Sequence, residues 1–137
     1  MNAMKKQDER GVAAAEFALL LPVFLTLVLG TIEFGMMMYG REVVTNAARE
    51  GARAGIVLGP PKRTAGEITA ISNAYLTSTG VSVASVTFNP TGAGGANPAT
   101  LTMAATYRYP FLFSYIPALL GIPNPLPINT QVVMRHE

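Results

Sequence analysis

Between Val12 and Ile32 the chain reads VAAAEFALLLPVFLTLVLGTI, with Glu16 as its one charged residue. At 1.5 Å per residue, a helix of this length covers roughly 31 Å, about the thickness of a bilayer's hydrocarbon core. The run is apolar on every side rather than along one stripe, as a helix surrounded by lipid must be. A buried core helix would need a domain large enough to enclose it, and 137 residues hardly supply one. A cleaved secretory signal fits poorly as well. The run is longer than the apolar stretch of about 7–15 residues in such signals, and no small-x-small site follows it.

The flanks give an orientation. Lys5, Lys6 and Arg10 lie just before the run; Glu33 follows it, and no Lys or Arg appears until Arg41. The excess of basic residues on the N-terminal side predicts a cytoplasmic N-terminus, with everything after the span outside. Pro22 removes one helical hydrogen bond, and a bend is expected there rather than a break. Composition agrees with a membrane or exported protein. Only 13% of residues are charged, against about 25% in soluble domains, and the mean hydropathy is +0.33.

Several function classes fall away. A net charge of +2 is too weak a bias for nucleic-acid binding. With no cysteine there is no disulfide scaffold, thiolate metal site or thiol nucleophile. One histidine, His136, leaves no His-rich metal site, and its place near the C-terminus predicts a solvated ring. No Ser/His/Asp set, carboxylate pair or metal spacing appears. We therefore expect no enzyme, no cofactor and no metal.

Beyond the span the helix is expected to continue. No proline occurs from Phe34 to Ala54, and Val43, Val44, Ala47, Ala48, Gly51, Ala52 and Gly55 recur at helical spacing. Such a stripe lets another backbone come close. Two occupants are open, the chain's own domain, which is favoured, or a second molecule. Arg41, Glu42, Arg49, Glu50 and Arg53 fill much of the other side. Glu50 and Arg53 are spaced to pair, while Arg49 and Arg53 are candidate assembly contacts. Gly55 and Gly59-Pro60-Pro61 predict the end of this helix.

A second helix is expected from Thr64 to about Thr79, opened by a Thr64/Glu67 capping box and closed by Gly80. Val81–Phe88 alternates as a strand, Asn89–Ala99 is turn material, and Thr100–Tyr109 alternates again, which predicts a hairpin with a long loop. The segment PFLFSYIPALLGIPNPLP is apolar but broken by Pro110, Pro117, Pro123, Pro125 and Pro127. It is expected to wrap the domain or rest on the membrane surface through Phe111, Phe113 and Tyr115, not to span. Ile128–Met134 is a last strand. Gly92-Ala93-Gly94-Gly95 lacks the Lys-Ser/Thr of a phosphate loop and reads as a flexible turn.

The junction Arg10-Gly11-Val12-Ala13-Ala14-Ala15-Glu16-Phe17 carries the functional signal. A carboxylate inside a span is a functional candidate by default, although near its cytoplasmic end Glu16 also reads as a plain interfacial residue. A cut after Gly11 would remove the basic leader and leave an amine on Val12, one helical turn from Glu16. In a bundle of parallel helices, the amine of one subunit could meet Glu16 of another, each reducing the other's cost in low dielectric. Gly11 also suits a peptidase, because it adopts unusual backbone angles freely.

A glycine, four residues, then glutamate and an aromatic ahead of an apolar helix resembles the processing site of type IVb prepilins and pseudopilins. More closely, RGVAAAEFALLLPVFLTLVLGTIEFG followed by NAAREGARAG resembles the TadE-like family, minor pseudopilins of the tight-adherence pilus system. The string Ala48–Arg53, the late Tyr109-Pro110-Phe111 and a final strand ending in a charged residue are similar too. Where that family favours Tyr after the glutamate, this chain has Phe17, which keeps the ring.

The resemblance implies a leader, Met1–Gly11, removed by an inner-membrane prepilin peptidase, with Gly11 before the cut, Val12 as the new terminus and Glu16 tied to processing or assembly. It implies as partners the prepilin peptidase, the major pilin, other minor pseudopilins and the inner-membrane pilus assembly machinery.

The expectation is thus an α+β protein of the bacterial inner membrane: leader 1–11, transmembrane helix 12–32, and an extracytoplasmic domain 33–137 with a second helix and an antiparallel sheet of about three strands. It is a subunit or assembly factor of an adhesive pilus. Two other readings are an uncleaved single-pass anchor carrying a small binding domain, and an interfacial enzyme, for which the polar cluster is missing.

Overall fold

A computed structural model describes residues 2–57, 61–96 and 99–136, with side chains from residue 11 onward. Its first element, α1, runs from Asn2 to Ile56, 55 residues in one helix, roughly 83 Å long. Pro22 sits inside it without ending it. The Thr26 hydroxyl donates to the Pro22 carbonyl at 2.8 Å, and that of Thr31 to the Leu27 carbonyl. These polar side chains therefore add no unsatisfied group to the apolar stretch.

The helix has two unlike parts. No residue from 11 to 32 is buried; Leu19 is 79% exposed and Phe24 61%. This disposes of a buried core helix, since the most apolar segment of the chain touches almost nothing else. From Glu33 onward one side is covered: Glu33, Gly40, Val43, Val44, Ala47, Ala48, Gly51, Ala52 and Gly55 are buried. The small-residue stripe thus packs on the chain's own domain.

That domain follows in sequence order. Helix α2, Ala65–Thr79, opens with both halves of the expected capping box: the Glu67 amide donates to the Thr64 hydroxyl, and the Thr64 amide to the Glu67 carboxylate. It closes on Gly80 at φ 79°, left-handed, a conformation that glycine adopts without a Cβ penalty. Three strands, β1 (Val86–Thr91), β2 (Thr100–Tyr109) and β3 (Leu126–Arg135), form an antiparallel sheet in the order β1-β2-β3. Register places Phe88 opposite Ala105, and Ala105 opposite Thr130.

The sheet's inner face lies on α1. Leu101, Met103, Ala105, Tyr107 and Tyr109 alternate inward from β2, joined by Val86 and Phe88 of β1 and by Ile68 and Leu76 of α2. Burying each large apolar side chain here contributes about 1.5–3 kcal/mol. The helix comes close because it carries glycine where the contact is tightest. A Cβ on Gly40 would stand 2.6 Å from the Tyr107 ring, and one on Gly55 2.6 Å from both Ile68 and Leu101.

Four details depart from the sequence expectation. Strand β1 starts at Val86, not Val81, after a 3-10 turn at Val83–Ser85. It continues through Asn89-Pro90 because β1 is an edge strand, where proline's missing N–H costs no ladder bond. β3 extends to Leu126–Arg135. A short helix, α3 (Tyr115–Leu120), forms within the proline-rich segment, since Pro117 falls in its first turn, where no helical N–H is needed. His136 is 5% exposed rather than solvated. Its amide donates to the Ala99 carbonyl and its ring Nε2 lies 3.0 Å from the Gly92 carbonyl oxygen, so it clasps both sides of the β1–β2 turn. Gly59 and Pro60, part of the expected helix stop, and Asn97 and Pro98 of the hairpin loop lie outside the described residues; α1 ends at Ile56.

Candidate functional site on the long helix

The residues singled out in the sequence fall in two places on α1. Gly11, Val12, Glu16 and Phe17 lie at its N-terminal end, all exposed; Val12 is 59% and Phe17 64% accessible. The backbone through Gly11 is helical, and nothing stands within 4 Å of where its Cβ would be. The segment before it is helical in backbone from Asn2, and its side chains lie outside the described residues. The fold therefore brings no other part of the described chain to this junction. Glu16 is the one charged residue of the apolar run and is exposed.

Arg49, Glu50 and Arg53 lie far along the helix, on the side away from the sheet. Arg53 grips Glu50 with two hydrogen bonds, 2.7 and 3.2 Å, and both side chains are substantially exposed. The hydrogen bond from Arg53 holds the Glu50 carboxyl below its usual range, and Glu50 raises Arg53 in return. Exposed pairs of this kind contribute little to stability. Arg49 turns instead to the Asn46 side chain at 3.4 Å. These three residues form local helix-surface pairs and do not gather with Glu16.

The structure adds a carboxylate that sequence reasoning passed over. Glu33, the first polar residue after the apolar run, is 3% exposed. Its Oε1 accepts from the Tyr109 hydroxyl at 2.9 Å and from the Leu112 amide at 2.8 Å. Its Oε2 is buried with no hydrogen-bond partner. Around it Gly30, Phe34, Met37, Phe111, Ile116 and Leu120 line an apolar cavity of about 230 Å³. Burial raises the Tyr109 hydroxyl's ionisation well above the usual phenol range, and the Glu33 bond raises it further. Phe111 packs edge-on to Tyr109, ring centroids 5.4 Å apart, and Tyr109 edge-on to Tyr107 at 6.0 Å.

The signal for Glu33 was present. The buried series Gly55, Gly51, Val44, Gly40 steps back by three, four or seven residues, and the same steps reach Met37 and Glu33. A glutamate on the covered face needs a donor, and the late Tyr109-Pro110-Phe111 supplies one.

A single uncovered apolar helix, continuous with a small α+β domain that packs along its far half, is the layout of a small domain carried on one candidate membrane span. The N-terminal helix fits a membrane anchor by length and composition. The family model described as TadE-like protein matches residues 11–53, the stretch from Gly11 to the arginine of the Glu50–Arg53 pair. That is the family the sequence resembles, and it is one of structural proteins associated with tight-adherence pili. No curated protein matches the chain, and no solved structure does.

Proposed function

We propose that the chain is a minor pseudopilin, or pilus assembly protein, of a tight-adherence type IVb pilus. It is cut after Gly11 by a prepilin peptidase and assembles through its N-terminal helix from a cytoplasmic-N-terminus, inner-membrane state. The observation that carries this reading is the family match that starts at Gly11 on a helix whose first half the chain leaves uncovered. Such a surface is stable only against lipid or neighbouring helices, which are the two environments a pilin-like subunit moves between. Val12's new amine would then stand one turn from Glu16, and the pair from two subunits would set their axial register. Electrostatics favours this pairing because each charge alone is costly near hydrocarbon.

One observation favours the uncleaved anchor instead. The backbone runs helically through Gly11, so cutting there requires the helix to unwind locally, which glycine eases. The deciding experiment is the intact mass of the membrane-extracted protein, made with and without its prepilin peptidase, for the native chain and for Glu16→Ala. A peptidase-dependent loss equal to Met1–Gly11 is expected. A full-length mass with active peptidase present would leave the permanent anchor as the function. A cut Glu16→Ala chain would assign the carboxylate to assembly rather than to processing.

A further inference from the structure

We propose that α3 is a second membrane element, its Leu119–Leu120 end sunk into the acyl chains of the leaflet on the domain's side, beside α1. The inference rests on the reading of α1 as a spanning helix and goes beyond it.

The first argument is axial position. Leu119 of α3 shares a groove of about 300 Å³ with Pro22, Val23, Thr26 and Leu27 of α1. Those residues lie five to ten positions inside the end of the apolar run at Ile32. At 1.5 Å per residue this is roughly 8–15 Å below that end, between the leaflet surface and the midplane. The helix cannot slide to lift α3 clear. Placing the membrane boundary at Pro22 would draw Lys5, Lys6, Asp8, Glu9, Arg10 and Glu16 into hydrocarbon.

The second argument is chemical. No Asp, Glu, Lys or Arg occurs between Arg108 and Arg135. The large side chains that α3 leaves uncovered are Leu119, 67% exposed, Leu120, 64%, and Tyr115, 43%, with Leu112 of its approach at 60%; the exposed polar side chains, Ser114 and Asn124, lie at its two ends. In water this is an unfavourable surface next to an equally uncovered helix. In lipid the two form one continuous face.

The third argument is the backbone. Irregular chain enters hydrocarbon only if its polar groups are satisfied internally. Pro110, Pro117, Pro123 and Pro125 have no N–H to satisfy. Phe111 donates to the Asn124 side chain, Leu112 to Glu33, Ile116 to the Phe113 carbonyl, and both Gly121 and Ile122 to the Pro117 carbonyl. The amides of Phe113, Ser114, Tyr115 and Asn124 take no partner within the segment, so its approach and exit stay at the headgroups while the Leu119–Leu120 end enters the acyl chains, and Glu33 supplies the acceptor where the segment turns in.

The chain has neither tryptophan nor cysteine, so one introduced tryptophan reports alone. Full-length Phe24→Trp, Leu119→Trp and Gln131→Trp would be reconstituted in vesicles of phosphatidylcholine with and without acyl-chain bromines. The replaced side chains are all exposed, so each variant should fold. Loss of emission in brominated vesicles for Phe24→Trp and Leu119→Trp alike, with Gln131→Trp unaffected, is the expected result. Quenching of Phe24→Trp but not Leu119→Trp would overturn the proposal while leaving the span intact. Blue-shifted Leu119→Trp emission that bromine leaves unchanged would overturn it too, assigning this face to a second copy of the chain. An unquenched Phe24→Trp would sink the span itself, and the proposal with it.

Discussion

Glu33 shows how one side chain is held where its chemistry is least favoured. A buried carboxylate is costly unless hydrogen-bonded, and here one oxygen takes two donors while the other takes none. Tyr109→Phe removes one of those donors, and a loss of about 1–3 kcal/mol is expected, the range for leaving a buried polar group without its partner. Denaturant titration of the detergent-solubilised protein would measure it. The same residue sets an alkaline limit. Its folded ionisation lies above the unfolded value of about 10. The folded state therefore keeps a proton that the unfolded state has released, and stability present below that pH falls as pH rises beyond it. In Tyr109→Phe this component of the decline should vanish.

At the scale of elements, α2 depends on its first turn. Thr64→Ala should cost about 1 kcal/mol, read as a lower unfolding midpoint. The Thr64 backbone and side chain hold the Glu67 carboxyl below its usual range. Its contribution is present above the unfolded value near 4.3 and is lost as pH falls through the lower folded one; Glu67→Gln should flatten that acid dependence. Elements specified by local rules were legible in the sequence. The capping box, Gly80, the ten alternating residues of β2 and the small stripe on α1 each need only spacing and turn chemistry. Elements fixed by tertiary context were not. The start of β1 and its run through Pro90 depend on its being an edge. α3 depends on the face of α1 beside it, and His136 is buried only because the β1–β2 turn folds over it.

For the whole molecule, the division of α1 separates the residues that hold the domain from those the chain leaves uncovered. Glu16 stands on the uncovered half, away from every contact that holds the domain. Glu16→Ala should therefore leave the domain's unfolding midpoint within about 0.5 kcal/mol of native while abolishing recovery of the protein with sheared pili. An equal loss of both would show that the two halves are not independent. The two-part layout was readable from the apolar run and the glycine-rich continuation; the Glu33–Leu112 contact at their meeting point was not, because it joins residues far apart in sequence.

One unbroken helix from Asn2 to Ile56 leaves no swivel between its apolar half and the domain. Each residue of a helix turns the chain by about 100°. The azimuth at which residues 11–32 seat among their neighbours therefore dictates which way the sheet's outer face points, as a keyed shaft dictates the bearing of what it carries. A single alanine inserted ahead of Glu33 would turn that face by more than a quarter revolution while leaving both the domain and the apolar surface chemically intact.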